Sequence, residues 1–146
     1  MKTITIGISL VFLLINMSYA QNDISYNLPG TVETQVITKE DTSGVLLYTA
    51  ELFDNELHGT YIEYYEDGSV KEKRNYKSGL LHGTSFRYSQ DGELLAKAEY
   101  EDNVKVGTWV FIDVFSNQKI SVVYENGVKK GISYYKNGLC VDTVMY

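Results

Sequence analysis

Residues 59–82 read GTYIEYYEDGSVKEKRNYKSGLLH, residues 83–106 read GTSFRYSQDGELLAKAEYEDNVKV, and residues 107–130 read GTWVFIDVFSNQKISVVYENGVKK. Aligned, they place Gly59, Gly83 and Gly107 at one position and Tyr76, Tyr100 and Tyr124 at another. Gly44, Gly68 and Gly92 keep the same 24-residue step. Gly131 opens a fourth stretch, GISYYKNGLCVDTVMY, which is two residues short before its turn. It regains register at once, because Gly138 to Tyr146 repeats the step from Gly68 to Tyr76. Upstream, residues 35–58 fit as a degenerate unit, with Gly44 and Leu52 at the Gly68 and Tyr76 positions. A fixed period of this size signals an array of one supersecondary unit.

Each unit reads as a β-hairpin. Tyr61 to Tyr65 is aromatic and β-branched, which suits a pleated strand. Asp67-Gly68, Asp91-Gly92 and Asn137-Gly138 are turn dipeptides. After the turn the pattern alternates: Leu94, Ala96, Ala98 and Tyr100 toward one face, Glu93, Lys97 and Glu99 toward the other, with Leu95 an exception. A second turn, such as Lys77-Ser78-Gly79 or Glu125-Asn126-Gly127, leads to the next unit. The expected strands are 35–40, 45–53, 59–65, 69–76, 83–89, 93–100, 107–115, 119–124, 131–135 and 139–146. Short links imply pairing in chain order. The expected fold is all-β, a repetitive antiparallel meander extending about 45 Å across ten strands. Such a sheet twists, and either stays open or folds over to cover one face. Two apolar columns are expected to form the core: Leu46, Val70, Leu94 and Cys140, and Leu52, Tyr76, Tyr100, Tyr124 and Tyr146.

The first twenty residues have a different character. Lys2, an apolar run from Ile4 to Ile15, and Ser18-Tyr19-Ala20 have the layout of a secretory signal peptide cleaved before Gln21. The alternative is an uncleaved anchor, although the run is shorter than the roughly 20 residues that span a bilayer. The expected organisation is signal peptide 1–20, a flexible leader or cap 21–34 containing Pro29, and a repeat domain 35–146. The expected location is exported, either periplasmic or secreted, in a bacterium.

Composition narrows the function classes. The 146 residues carry 13 basic and 19 acidic side chains, a net charge of −6, which disfavours nucleic acid and anionic membranes as main partners. The single cysteine excludes an internal disulfide and a Cys-rich zinc site. His58 and His82 occupy equivalent positions, two strands and roughly 9–10 Å apart. A zinc site needs three or four placed ligands, so an inherited loop position is the simpler account. Cys140 falls in the apolar column and reads as a small core residue, with a reactive thiol as the alternative. The chain has no G-x-S-x-G, H-E-x-x-H or Walker motif, and no catalytic residue, metal or cofactor is expected.

Aromatics occur at both parities of the first strands, so each face is partly apolar. Most rings read as core. Tyr61, Tyr64 and Trp109 are the candidates for an exposed binding strip, because Tyr and Trp combine apolar area with a polar edge.

The pieces Gly59-Thr60-Tyr61, Tyr64-Tyr65-Glu66-Asp67-Gly68, Tyr76-Lys77-Ser78-Gly79 and His82-Gly83, echoed through Gly138, resemble the MORN-repeat variant family. The likeness is greatest to the YwqK-type antitoxin-component repeats of bacteria, and it covers about residues 35–146. It implies a stacked-hairpin sheet used for binding or scaffolding, without catalytic residues. The expected function is an exported, non-enzymatic module binding a protein partner. An antitoxin or immunity-like inhibitor and a cell-envelope glycan binder are the alternatives. Self-association through open sheet edges is a further expectation.

Overall fold

The computed structural model describes residues 34–146. The expected signal peptide, and all of the expected leader except Thr34, lie outside the described residues. Every described element is a strand: β1 Thr34–Glu40, β2 Leu46–Phe53, β3 Glu56–Tyr64, β4 Val70–Lys77, β5 Leu80–Leu81, β6 Gly83–Tyr88, β7 Leu94–Glu101, β8 Val104–Asp113, β9 Gln118–Glu125, β10 Val128–Lys136 and β11 Leu139–Met145. They form one antiparallel sheet in chain order, with the two-residue β5 paired to β4 beside the main path. The ten expected strands are present, and β5 is the start of β6, cut off at His82. The first strands begin earlier than expected, at Glu56, Val104 and Val128 rather than at the following Gly. The inter-unit turns explain this: Asp54-Asn55, Ser78-Gly79, Asp102-Asn103 and Asn126-Gly127 all carry positive φ at both residues. A two-residue turn of that kind matches strand twist and lets pairing resume directly.

The turn inside each unit is built differently. Gly68 donates to Tyr65 O at 3.0 Å and Tyr65 donates to Ser69 O at 2.8 Å. Gly92 and Gly44 make the equivalent bonds to Ser89 and Asp41. Only the glycine has positive φ, so these are three-residue loops ending in a glycine bulge. The fourth unit replaces this loop with the two-residue turn Asn137-Gly138, both at positive φ. This turn is one residue shorter, and the strand leading into it from Gly131 is one residue shorter, which together account for the two missing residues.

The register corrects the expected faces. Tyr88 pairs Leu94 while Arg87 pairs Ala96, leaving Leu95 as a bulge. Leu94 therefore lies on the opposite face from Ala96, Ala98 and Tyr100. The same bulge recurs at Leu47, Lys71 and Val141. The two expected columns consequently sit on opposite faces of the sheet. We call the face bearing Tyr61 the front and the face bearing Tyr64 the back.

Burial is concentrated in one front row. Ala50, Tyr61, Arg74, Ser85, Ala98, Trp109, Val122 and Ile132 follow one another across the sheet. Ala50, Ser85, Trp109 and Val122 are buried, and among the described residues no large side chain is completely enclosed. Substantial strand contacts run only between sheet neighbours, so no second layer covers the front among the described residues. Cys140 is exposed rather than buried, because β11 is the edge strand of the sheet and no described element covers its side chains. Tyr146 is exposed for the same reason, at 65%.

Candidate binding face

The repeat-defining glycines act as junction pieces. Leu52 pairs Leu57 and Ala50 pairs Tyr61, so three residues centred on Gly59 stand opposite one. Glu51 Oε2 accepts a hydrogen bond from Thr60 N at 2.8 Å in the space this creates. A Cβ on Gly59, whose φ is +99°, would overlap that oxygen. Glu99 stands against Gly107 in the same way, two repeats along. Across each hairpin the glycine faces the repeat tyrosine: Gly59 with Tyr76, Gly83 with Tyr100, Gly107 with Tyr124. The fourth unit departs here, because Gly131 faces Met145.

Two aromatic clusters form on the front. In one, Tyr48 stacks on Tyr61 at 5.2 Å and Tyr76 meets Tyr61 edge-on at 6.2 Å. In the other, Trp109 lies 5.0 Å from Tyr100 and 5.1 Å from Tyr124. Its indole N–H donates to Glu99 O at 3.1 Å, and Lys105 Nζ caps the ring at 4.7 Å. Trp109 is 8% exposed, which corrects the expectation of an exposed ring. The neighbouring tyrosines and Lys105 close over it. Tyr61 is half-buried, and burial raises its phenol pKa, with Glu63 adding to the effect. Tyr64 is half-buried on the back face, 3.4 Å from the Thr49 hydroxyl. The three candidates therefore do not converge. Tyr61 and Trp109 share a front row but stand four strands apart, and Tyr64 faces away.

Between the two clusters lies a cleft of about 240 Å³. Its floor is Ser85, Ala96 and Ala98, and its walls include Glu72, Arg74, Arg87, Tyr100 and Phe111. It exists because the middle repeat carries small residues where its neighbours carry large ones. Position 85 is Ser between Tyr61 and Trp109, 96 is Ala between Glu72 and Ile120, and 98 is Ala between Arg74 and Val122. That contrast of small against large residues is visible in the aligned repeats, whereas the aromatic pattern does not reveal it.

The charged wall is ordered. Glu72 grips Arg74 through two bonds, Nε–Oε1 at 2.9 Å and Nη2–Oε2 at 2.7 Å. The bond from Arg74 holds the Glu72 carboxyl below its ordinary range, and Glu72 in turn raises the Arg74 pKa. Lys71 and Glu63 pair at 2.7 Å beside them. Arg87 is exposed and forms no ion pair among the described residues. The cleft thus offers one charged wall, aromatic side chains from Tyr100 and Phe111, a small floor and one available guanidinium.

The histidines stay apart from this face chemistry. His58 Nδ1 is 3.4 Å from Ser78 N, and His82 Nδ1 is 3.0 Å from Asp102 Oδ1, each at an inter-unit turn. Among the described residues no group of three His, Cys, Asp or Glu is placed to hold a metal ion. No described helix is long and apolar enough to cross a membrane.

Comparison with known families agrees with this geometry. Residues 57–78 and 81–102 each match the MORN repeat variant. The first match spans β3 and β4, and the second runs from β5 to the β7–β8 turn. No curated protein shows a significant match to the chain. Two tandem matches are set in hairpins whose period, turns and bulges continue on either side, so residues 57–102 of this chain carry two repeats of the MORN variant.

Proposed function

We propose that this chain is an exported, non-enzymatic module that binds a protein partner on its front face. The partner inserts an apolar side chain into the cleft and sets a neighbouring carboxylate against Arg87. The observation that carries this reading is the gap at Ser85, Ala96 and Ala98 between two aromatic clusters, with the Arg87 guanidinium, which forms no ion pair among the described residues, at its wall. Tyr and Arg are enriched among residues that dominate protein interfaces, and pockets that exclude water concentrate the energy. The two MORN-variant repeats favour a repeat-based binding or scaffold role, and the signal-peptide pattern of residues 1–20 favours export.

Two variants test the reading. Ala98→Trp fills the cleft, and Arg87→Glu reverses its available charge. The purified chain is immobilised and exposed to envelope and secreted fractions of the native cell. Retention of one protein near one-to-one is expected, with each variant weakening it tenfold or more while the melting temperature changes little. A partner retained equally by both variants would refute the cleft. The identity of the retained protein separates a scaffold from an inhibitor of a toxic protein. Trp109→Ala is unsuitable as a test of sugar stacking, because that ring is core.

A further inference from the structure

The unit junction is made four times inside the molecule: β2 with β3, β4 with β6, β7 with β8, and β9 with β10. Each joins the second strand of one hairpin to the first strand of the next, antiparallel. By position in the repeat, β1 is a first strand and β11 a second strand. Among the described residues neither has a neighbour on its outer side. The two ends of the sheet are therefore the two halves of one more junction. Their directions agree, because ten strands alternating along the main path leave the outer two antiparallel to each other.

The internal register can be projected onto this pair. Tyr48 pairs Glu63, Thr49 pairs Ile62 and Ala50 pairs Tyr61. Asp142, Thr143 and Val144 occupy the matching rows of β11, and Lys39, Thr38 and Ile37 those of β1. A carboxylate then meets an ammonium on the front, threonine meets threonine on the back, and Val144 meets Ile37 in the buried row. Opposite charges, paired threonines and paired β-branched residues are the favourable cross-strand combinations. Val144 is 40% exposed and Ile37 37%, although their row is the one that is buried elsewhere. The match ends at the next residue, where Gln35 stands in place of Gly59 and Met145 in place of Glu51.

We propose that copies of this chain stack end to end, β11 of one on β1 of the next, continuing the repeat across the molecular boundary. The two contacting surfaces differ, so the contact is head-to-tail and builds a growing series or a closed ring rather than stopping at two.

Sedimentation of the full purified chain across a wide concentration range tests this. The expected result is a series extending beyond the dimer. Asp142→Lys alone and Lys39→Asp alone each place like charges face to face, and each shifts the series to concentrations up to about tenfold higher. Mixed in equal amounts the two variants restore assembly, because each end of one then meets its opposite on the other. A chain that stays monomeric, a dimer that does not grow, single variants that assemble like the parent, or a mixture that fails to recover would each overturn the proposal.

Discussion

Gly107 and Glu99 show why the repeat glycine recurs. The glycine has φ +65°, and a Cβ there would run into the Glu99 carboxylate, with Glu99 Cδ only 3.0 Å away. Gly68 has φ +85° but opens onto free space. Gly68→Ala therefore meets backbone strain alone, while Gly107→Ala meets strain and a collision. Each is expected to lower stability by more than about 1 kcal/mol, and Gly107→Ala by the larger amount. In a Glu99→Ala background the collision disappears, so Gly107→Ala costs less there. Urea unfolding of the four-member cycle should give a coupling of about 0.5–3 kcal/mol. Equal costs for Gly107→Ala in both backgrounds would show that the carboxylate merely lies nearby. The same reasoning places Trp109 among structural residues. Its contacts with Tyr100 and Tyr124 make Trp109→Ala a loss of about 3–5 kcal/mol.

The β3–β4 hairpin carries a linked set of ion pairs, Lys71 with Glu63 and Arg74 with both Glu63 and Glu72. Glu72 holds Arg74 through two bonds, and its pKa is lowered in consequence. A carboxyl whose folded pKa lies below its unfolded one stabilises the fold above the unfolded value, near 4.5. That contribution disappears as pH falls through the folded pKa. Stability is thus expected to drop on acidification from about pH 4.5 downward. Glu72→Gln should flatten that decline and cost about 1 kcal/mol at neutral pH. Thermal melts at stepped pH check both, and an unchanged acid limb in Glu72→Gln would mean that other carboxylates control it. At this scale the limits of sequence reading are also visible. Periods of glycine and tyrosine located the hairpins, because turn chemistry and strand propensity are local. The faces were harder to read: one bulged residue, Leu95 or Lys71, reverses every side chain beyond it, and pairing register is not local. The cleft went unread for a related reason. Ser85, Ala96 and Ala98 look unremarkable singly and form a floor only when β6 and β7 lie side by side between larger neighbours. Trp109 looked available because nothing in one strand shows that tyrosines from adjacent strands close over it.

Among the described residues, substantial contacts join only sheet neighbours, so stability should be close to a sum of unit and junction terms. Removing residues 83–106 tests that additivity and also separates the two surfaces proposed above. The deletion takes out one full period, and His82 then leads into Gly107 as it now leads into Gly83. Glu99 leaves with the deleted unit, and Asn75, its equivalent one repeat earlier, takes its place against Gly107. The shortened chain should fold into a sheet two strands narrower. Its urea m value should fall by about a fifth, since 24 of the 113 described residues are lost. Ser85, Arg87, Ala96 and Ala98 are removed together, so capture of the front-face partner should be abolished. β1 and β11 are untouched, so end-to-end stacking should survive with its Asp142 and Lys39 dependence intact. Loss of both properties in a chain with a cooperative unfolding transition would mean that the ends and the cleft depend on one another. A chain that fails to fold at all would instead show that the sheet needs the middle repeat as a specific keystone, against the additive account.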